Sequence, residues 1–464
     1  MKLLDTIAAV GTPYGKGGVA MIRISGQNAL EVADKVFAPK SGIPLSKSPP
    51  NKAVYGEIFF QEADGARYFV DDGMATFFRA PRSYTGEDTI EITCHGGIMI
   101  TEEVLSAVLS AGARMAEAGE FTRRAFVSGK IKLTQAESLA RLLDAKNEVQ
   151  LALARGGVKG ILSEKTSGIY DSLAKILSSI YAKIDFPDED LAEMERSEII
   201  KRLSDILDRI RELSATYRTG RAVAEGIRTV ICGKTNAGKS SIYNMIVGSE
   251  DAIVTDIEGT TRDVLRRSVM FGKIMLMLSD TAGLRDSIDP VELIGMNRTS
   301  AEIDRAELVL AVFDGSKALT KDDRSLIKKL AQLPVTVIAL INKSDLEKKL
   351  DLRETEGNFE RIVEVSAKTG EGFDKLKEVI NKLFIDEKIN FEQDAVVTGA
   401  RQHSALVRAA MNLASALNSF EAGYALDACC ADVELAMQAI GEIDGREISE
   451  DIVARIFSDF CVGK

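Results

Sequence analysis

The chain has little of what anchors, cross-links or metallates a protein. No apolar run in its 464 residues approaches the roughly 18 residues of a membrane-spanning helix. Residues 1–9 hold one Lys and a short apolar stretch ahead of Gly11 and Pro13, which is not the pattern of a signal peptide. Cysteine is sparse. Cys94, Cys232, Cys429, Cys430 and Cys461 are scattered, so no disulfide framework is expected and a reduced, cytoplasmic compartment is. Histidine is sparser still. Only His95 and His403 occur, and Cys94-His95 has no second ligand pair at zinc spacing, so no structural zinc is expected. The net charge of -11 argues against non-specific nucleic-acid binding but leaves room for a local basic patch.

What is present is ordinary for globular protein: 45% hydrophobic and 28% charged residues. The length suits about three domains. The stretch to about residue 127 mixes strand-like runs (19–24, 54–60, 89–93) with turns and a helix over 99–109, an α+β pattern. From Lys132 the pattern is helical, with Ala136, Leu139, Leu142 and Leu143 on one face. Ser197 is an N-cap candidate for a helix carrying Ile199, Ile200, Leu203, Ile206, Leu207, Ile210 and Leu213. From Ile227 to about Leu383, continuous apolar runs at 229–232, 274–278, 308–313, 335–341 and 362–365 alternate with helix-length segments. They read as a parallel βαβ series with strands buried on both faces. Helices return after Phe391, over 405–417, 432–440 and from Ser449. Two helical stretches flanking an α/β unit imply one helical domain interrupted by an insertion.

The insertion carries its chemistry in loops. Gly233-Lys234-Thr235-Asn236-Ala237-Gly238-Lys239-Ser240, then Ser241, is a P-loop between a strand and a helix. Its glycines let backbone N–H groups turn toward phosphates. Lys239 brings a point charge to the β- and γ-phosphates, and the Ser240 hydroxyl suits Mg²⁺. Thr255-Asp256-Ile257-Glu258-Gly259-Thr260-Thr261 reads as a first switch with one Thr as second Mg²⁺ ligand. In Asp280-Thr281-Ala282-Gly283 the Asp can hold Mg²⁺ through water and the Gly283 N–H can sense the γ-phosphate. Asn342-Lys343-Ser344-Asp345 ends a further strand. Guanine offers two adjacent donors that one Asp345 carboxylate accepts, a pair that adenine lacks. Ser366-Ala367-Lys368 closes the base pocket one strand later. These loops, in this order, specify a GTPase. Leu284 stands where Ras-like GTPases place a water-orienting Gln. Leu cannot orient water, so another group must, or hydrolysis is slow.

Outside those loops the chain resembles the bacterial tRNA-modification GTPase family MnmE, also called TrmE, over essentially its whole length. The resemblance rests on Asp5-Thr6-Ile7-Ala8-Ala9, Arg23-Ile24-Ser25-Gly26, Tyr84-Thr85-Gly86-Glu87-Asp88 and His95-Gly96-Gly97. It continues through Gly119-Glu120-Phe121-Thr122-Arg123-Arg124-Ala125-Phe126, Gly129-Lys130, Gln135-Ala136-Glu137 and Asp185-Phe186-Pro187, and ends at Phe460-Cys461-Val462-Gly463-Lys464. It implies an α+β folate-binding-like and dimerisation domain (1–128), a discontinuous all-α domain (129–221 and 386–464) and an inserted α/β P-loop GTPase domain (222–385). It also implies a homodimer that joins an FAD-dependent MnmG-type subunit in a heterotetramer. Together they would install an aminomethyl or carboxymethylaminomethyl group at the wobble uridine of tRNA, with 5-formyl- or methylene-tetrahydrofolate supplying the carbon. The family's folate residues map to Arg23, Glu87, Lys130 and Lys464. Its K⁺ site maps to Asn236, Thr255, Ile257 and Thr260, its Mg²⁺ ligands to Ser240 and Thr261, and its water-orienting acid to Glu292. Glu292 read alone is a solvated residue opening a helix. Cys461 read alone is a small apolar residue packing the C-terminus. Thr235 and Ala400 depart from the family's usual Pro and Asn. A GTP-dependent binding switch, such as a ribosome-assembly factor, would carry the same GTPase loops. A weaker third reading is a G protein that uses its helical domain only for self-association.

Overall fold

The computed structural model describes residues 5–61, 66–185, 194–248, 255–256, 266–279, 305–351, 359–458, 460 and 463. The chain forms two compact units, one of residues 1–143, 157–207 and 405–464, the other of 144–156 and 208–404.

In the first unit, β1 (Ile7–Val10), β2 (Ala20–Ser25), β3 (Phe37–Pro39), β4 (Ala53–Gln61), β5 (Arg67–Phe78), β6 (Thr89–Cys94) and β7 (Arg114–Met115) form one sheet. Its order is β3-β4-β5-β6-β2-β1-β7. All pairs are antiparallel except β1 with β7. Alternate residues Ile22, Ile24, Ile90, Ile92, Ala75 and Phe77 point to one face. There they pack under α1 (Ala29–Val36) and α2 (Ile98–Ser110) through Val32, Val36, Val104 and Val108. Ile7 and Ala9 meet Phe121 of α3 (Glu120–Val127) in a separate cluster.

Five helices follow: α4 (Leu133–Asp144), α5 (Glu148–Val158), α6 (Ile161–Asp185), α7 (Arg196–Ala215) and α8 (Tyr217–Glu225). Helix α7 opens at Arg196, one residue before the expected cap, so Ser197 lies inside its first turn.

The second unit holds β8 (Ile227–Gly233), α9 (Lys239–Val247), β9 (Thr255–Asp256), β10 (Arg266–Phe271), β11 (Ile274–Ser279), β12 (Leu308–Asp314), α10 (Lys321–Ala331), β13 (Thr336–Asn342), β14 (Ile362–Glu364) and α11 (Phe373–Phe384). Strand order is β14-β13-β12-β8-β11-β10-β9. From β14 to β11 neighbours are parallel, as expected. The far edge is not: β10 pairs antiparallel with β11, and β9 with β10. Only Gly272 and Lys273 separate β10 from β11, with Gly272 at φ 68, and so short a turn can join only antiparallel strands. On one face Val230, Cys232, Val309, Ala311 and Phe313 pack on Ile327 and Leu330 of α10. On the other, Ile231, Leu310 and Val312 pack with Ile242 and Ile246 of α9 and Leu376 and Ile380 of α11. That double burial is why the buried positions of these strands are almost all apolar.

The chain ends in α12 (Ala400–Glu421), α13 (Leu426–Asp444) and α14 (Glu450–Ser458). Buried Asp444 accepts hydrogen bonds from Ser163 (2.8 Å), Thr166 (3.0 Å) and Ser167 (3.2 Å) of α6, and from Thr134 (3.5 Å) of α4. Phe457 and Phe460 pack with Leu133 and Ala136. Gly463, at φ 98, lies so close to the Val10 carbonyl that a Cβ there would overlap it.

Candidate functional site

The parallel strands β8, β12, β13 and β14 end on the same edge of their sheet, the edge where doubly wound folds take ligands. β8 ends at Gly233, whose φ of 145 carries the backbone past Val312; a Cβ there would strike the Val312 carbonyl. Asn236 follows in the left-handed region at φ 67, and Gly238, at φ 99, caps the start of α9. The N–H groups of that helix start point along its dipole, a geometry that suits an anion. Lys239 Nζ donates to the Lys234 carbonyl at 2.9 Å, which folds the ammonium over the loop. Ser240 and Ser241 are exposed on the first turn of α9.

The base loop is tied to this cradle. Asn342 is buried; its Nδ2 donates to the Ala237 carbonyl at 2.9 Å, and its Oδ1 accepts from the Ala367 N–H at 3.0 Å. Lys343, at φ 68, donates from Nζ to the Asn236 carbonyl at 3.1 Å. The Ser366 hydroxyl donates to Asp345 Oδ1 at 2.7 Å and accepts from the Thr369 N–H at 3.2 Å, which orients the carboxylate. Lys368 is exposed beside Ala367. Three of the expected GTP loops are thus gathered at one edge.

Ile257, Glu258, Gly259, Thr260, Thr261, Asp280, Thr281, Ala282, Gly283, Leu284 and Glu292 lie outside the described residues, as do the side chains of Thr255 and Asp256. So do Cys461 and Lys464.

In the first unit, Arg23 of β2 faces Glu91 of β6 in register and pairs with it at 2.8 Å. Its guanidinium stacks 5.5 Å from the Tyr84 ring and 5.6 Å from Phe121. Glu87 accepts from the Ser25 hydroxyl at 2.9 Å and pairs with Arg124 at 3.1 Å. Lys130 Nζ donates to the Pro81 carbonyl at 2.9 Å. Arg23, Glu87 and Lys130 therefore surround one loop, residues 81–87. Gly463 rests on Val10, and Ala9 beside it pairs with Arg23.

Two charged groups beside these residues carried no motif signal of their own. Arg124 sits in the quoted Gly-Glu-Phe-Thr block, but only the fold shows it buried between Asp5, Glu87 and Glu120. Asp314, at the end of β12, receives Lys343 Nζ at 2.6 Å. An acid at a strand end could have flagged it, since the neighbouring strands end in nucleotide loops.

A family model described as "GTP-binding protein TrmE N-terminus" matches residues 6–130, and one described as "MnmE helical domain" matches 133–461. The tRNA modification GTPase MnmE of Heliobacterium modesticaldum is 41% identical over 99% of this chain and 99% of its own length. That of Thermoanaerobacter pseudethanolicus is 37% identical over 100% of both. With both flanking domains and the GTP loops in place along the full length, the chain belongs to the MnmE (TrmE) family of tRNA modification GTPases.

Proposed function

We propose that the chain is a K⁺-stimulated GTP hydrolase that acts in tRNA modification. With an FAD-dependent partner it would install an aminomethyl or carboxymethylaminomethyl group at the wobble uridine, using a folate one-carbon unit. The observation that carries the reading is the Asn342 bridge, which joins a phosphate cradle to a loop whose Asp345 suits guanine.

GTP would lie with its phosphates on the N-terminus of α9 and its base against Asp345, with Lys239 neutralising the β- and γ-phosphates. The loop fits two cations: Ser240 presents an exposed hydroxyl on the first turn, and Asn236 is exposed at the loop's outer bend. Ser240 and Thr261 would hold Mg²⁺, and Asn236, Thr255, Ile257 and Thr260 would hold K⁺. Bound there, the cations offset charge that develops on the transferring phosphoryl group. Glu292 would orient the attacking water in place of the missing Gln.

Arg23, Lys130 and Lys464 suit the carboxylates of a folate, and Glu87 suits its pterin donors. The donor set fits such a ligand. Tyr84, 37% exposed, offers a ring beside Arg23, and Lys130 is exposed.

GTP turnover in K⁺ against Na⁺ tests the cation; equal rates would sink it. Nucleoside mass spectrometry of tRNA from a strain lacking this chain tests the modification, and unchanged wobble uridines would remove it. Calorimetry with 5-formyltetrahydrofolate tests the folate site. No heat and no shift in melting temperature would favour a GTP-dependent binding switch instead.

A further inference from the structure

Asp314 belongs to none of the GTP motifs, yet two of them converge on it. Its Oδ2 accepts from Lys343 Nζ at 2.6 Å, and the same ammonium donates to the Asn236 carbonyl at 3.1 Å. Its Oδ1 accepts from the Ser316 N–H at 3.0 Å and the Ser316 hydroxyl at 2.6 Å. The carboxylate is held on both sides and is 13% exposed. The strand ends are clamped at the same point: the Gly315 N–H donates to the Asn342 carbonyl at 2.8 Å, and a Cβ on Gly315 would stand 2.9 Å from Ile341 Cγ2. Burial works to raise the Asp314 pKa, but the bonds from Lys343 and Ser316 outweigh it and hold the group below the ordinary carboxylate value. The side chain is therefore an anion at neutral pH.

Lys343 and Asn236 both sit in the left-handed region, where a residue with a Cβ is held only by its surroundings. The Asp314–Lys343–Asn236 chain is what joins these two bends.

We propose that Asp314 is a positioning residue for guanine nucleotide: it fixes the Lys343 ammonium on the Asn236 carbonyl, so that base loop and phosphate loop move together and nucleotide leaves slowly. The inference rests on the GTP reading of these loops. Without the carboxylate, Lys343 turns to solvent and the Asn342–Ala237 hydrogen bond alone ties the base loop to the phosphate loop. Guanine selectivity is untouched, because Asp345 is oriented separately by Ser366.

The test is stopped-flow release of N-methylanthraniloyl-GDP from the full-length protein, as wild type, Asp314→Asn, Asp314→Ala, Lys343→Met and the Asp314→Asn/Lys343→Met pair. Release from Asp314→Ala should be about tenfold faster or more, the loss of one charge-assisted hydrogen bond. Asp314→Asn, which keeps an oxygen acceptor, should show a smaller effect. The double variant should release no faster than Lys343→Met, and the ratio of GDP to xanthosine diphosphate affinity should not change. Unchanged release from both Asp314 variants, effects that multiply in the double variant, or a fall in that ratio would each overturn the proposal. If Asp314→Ala does not fold, Asp314→Asn and the double variant decide. Wild-type protein that binds no GDP would remove the GTP reading itself, whereas tight wild-type binding with unchanged variants would remove only the role of Asp314.

Discussion

Asn342 holds Ala237 by a single side-chain hydrogen bond of 2.9 Å, buried between the base loop and the phosphate loop. The same amide receives the Ala367 N–H at 3.0 Å, so one residue satisfies two backbone groups from two loops.

Replacing Asn342 by Ala orphans both groups, and each buried, unpaired group costs about 1–3 kcal/mol. Asn342→Ala should weaken GDP binding by at least about tenfold, measured by calorimetry. Gly238→Ala should abolish binding outright. Its Cβ would overlap Asn342 Nδ2, at a φ of 99 that L residues avoid.

Arg124 is the hub of an ion cluster in which it and Glu120 are buried. It pairs with Asp5 at 2.8 Å, Glu120 at 2.9 Å and Glu87 at 3.1 Å, and it also donates to the Asp5 carbonyl at 2.8 Å. Arg114 pairs with the same Asp5 and Glu120. Arg124→Met leaves Glu120 buried with one cation fewer, and breaking such a pair costs about 3–5 kcal/mol. The variant should melt earlier by differential scanning calorimetry, and it should also lose heat on 5-formyltetrahydrofolate titration, because Glu87 loses its orienting partner.

That cluster sets a pH dependence. Burial acts to raise the Glu120 pKa, but Arg114, the Glu117 N–H and Arg124 outweigh it and lower it; Asp5 is likewise lowered against burial by Arg114 and Arg124. A carboxylate with a depressed folded pKa contributes stability that is full above its unfolded value and is lost as pH falls through the folded value. Melting temperature should therefore be level from neutral pH down to about pH 5 and fall below about pH 4. The fall should be shallower in Arg124→Met. A decline that starts near pH 6.5 would point to histidine instead.

Asp444 ends α13 in a ring of hydroxyls, with no cation partner among the described residues. Asp444→Ala removes the acceptor for Ser163, Ser167 and the more distant Thr134, while Thr166 keeps the Leu162 carbonyl. A loss of roughly 2 kcal/mol or more is expected for three hydroxyls left without that acceptor. Hydrogen exchange should rise first in α6 and α13. Asp444→Asn, which retains one acceptor oxygen, should lose less.

The thiols give a chemical check. Burial pushes Cys232 up to about 12, against a small opposing pull from Lys239, and pushes Cys94 and Cys430 up to about 11. Only the thiolate reacts. Iodoacetamide at pH 8 should leave all three unmodified in folded protein and alkylate them in urea, read by peptide mass spectrometry.

Much of this was legible in the sequence because burial on both faces writes itself as apolar runs: 308–313 lies within β12, and 335–341 lies within β13 apart from its first residue. The glycines of the P-loop announced their backbone. Other features had no such signature. β5 was not read as a strand because Asp71, Asp72 and Gly73 interrupt it, and these make sense only once Asp71 is seen to accept from the His95 N–H at 2.8 Å. α13 begins at Leu426, six residues before the amphipathic pattern does, since Cys429 and Cys430 are both buried and give little contrast. Asp314 and Arg124 act through partners far away in sequence, Lys343 and Asp5, and no local pattern encodes a distant partner.

Gly463 rests on the Val10 carbonyl, a contact that closes almost the whole chain into one loop. Val10 leaves the ribosome early and Gly463 very late. The sheet that holds β1 must therefore stand with that seat open while the rest of the protein is made. A chain broken off early keeps the seat empty however well its first domain folds.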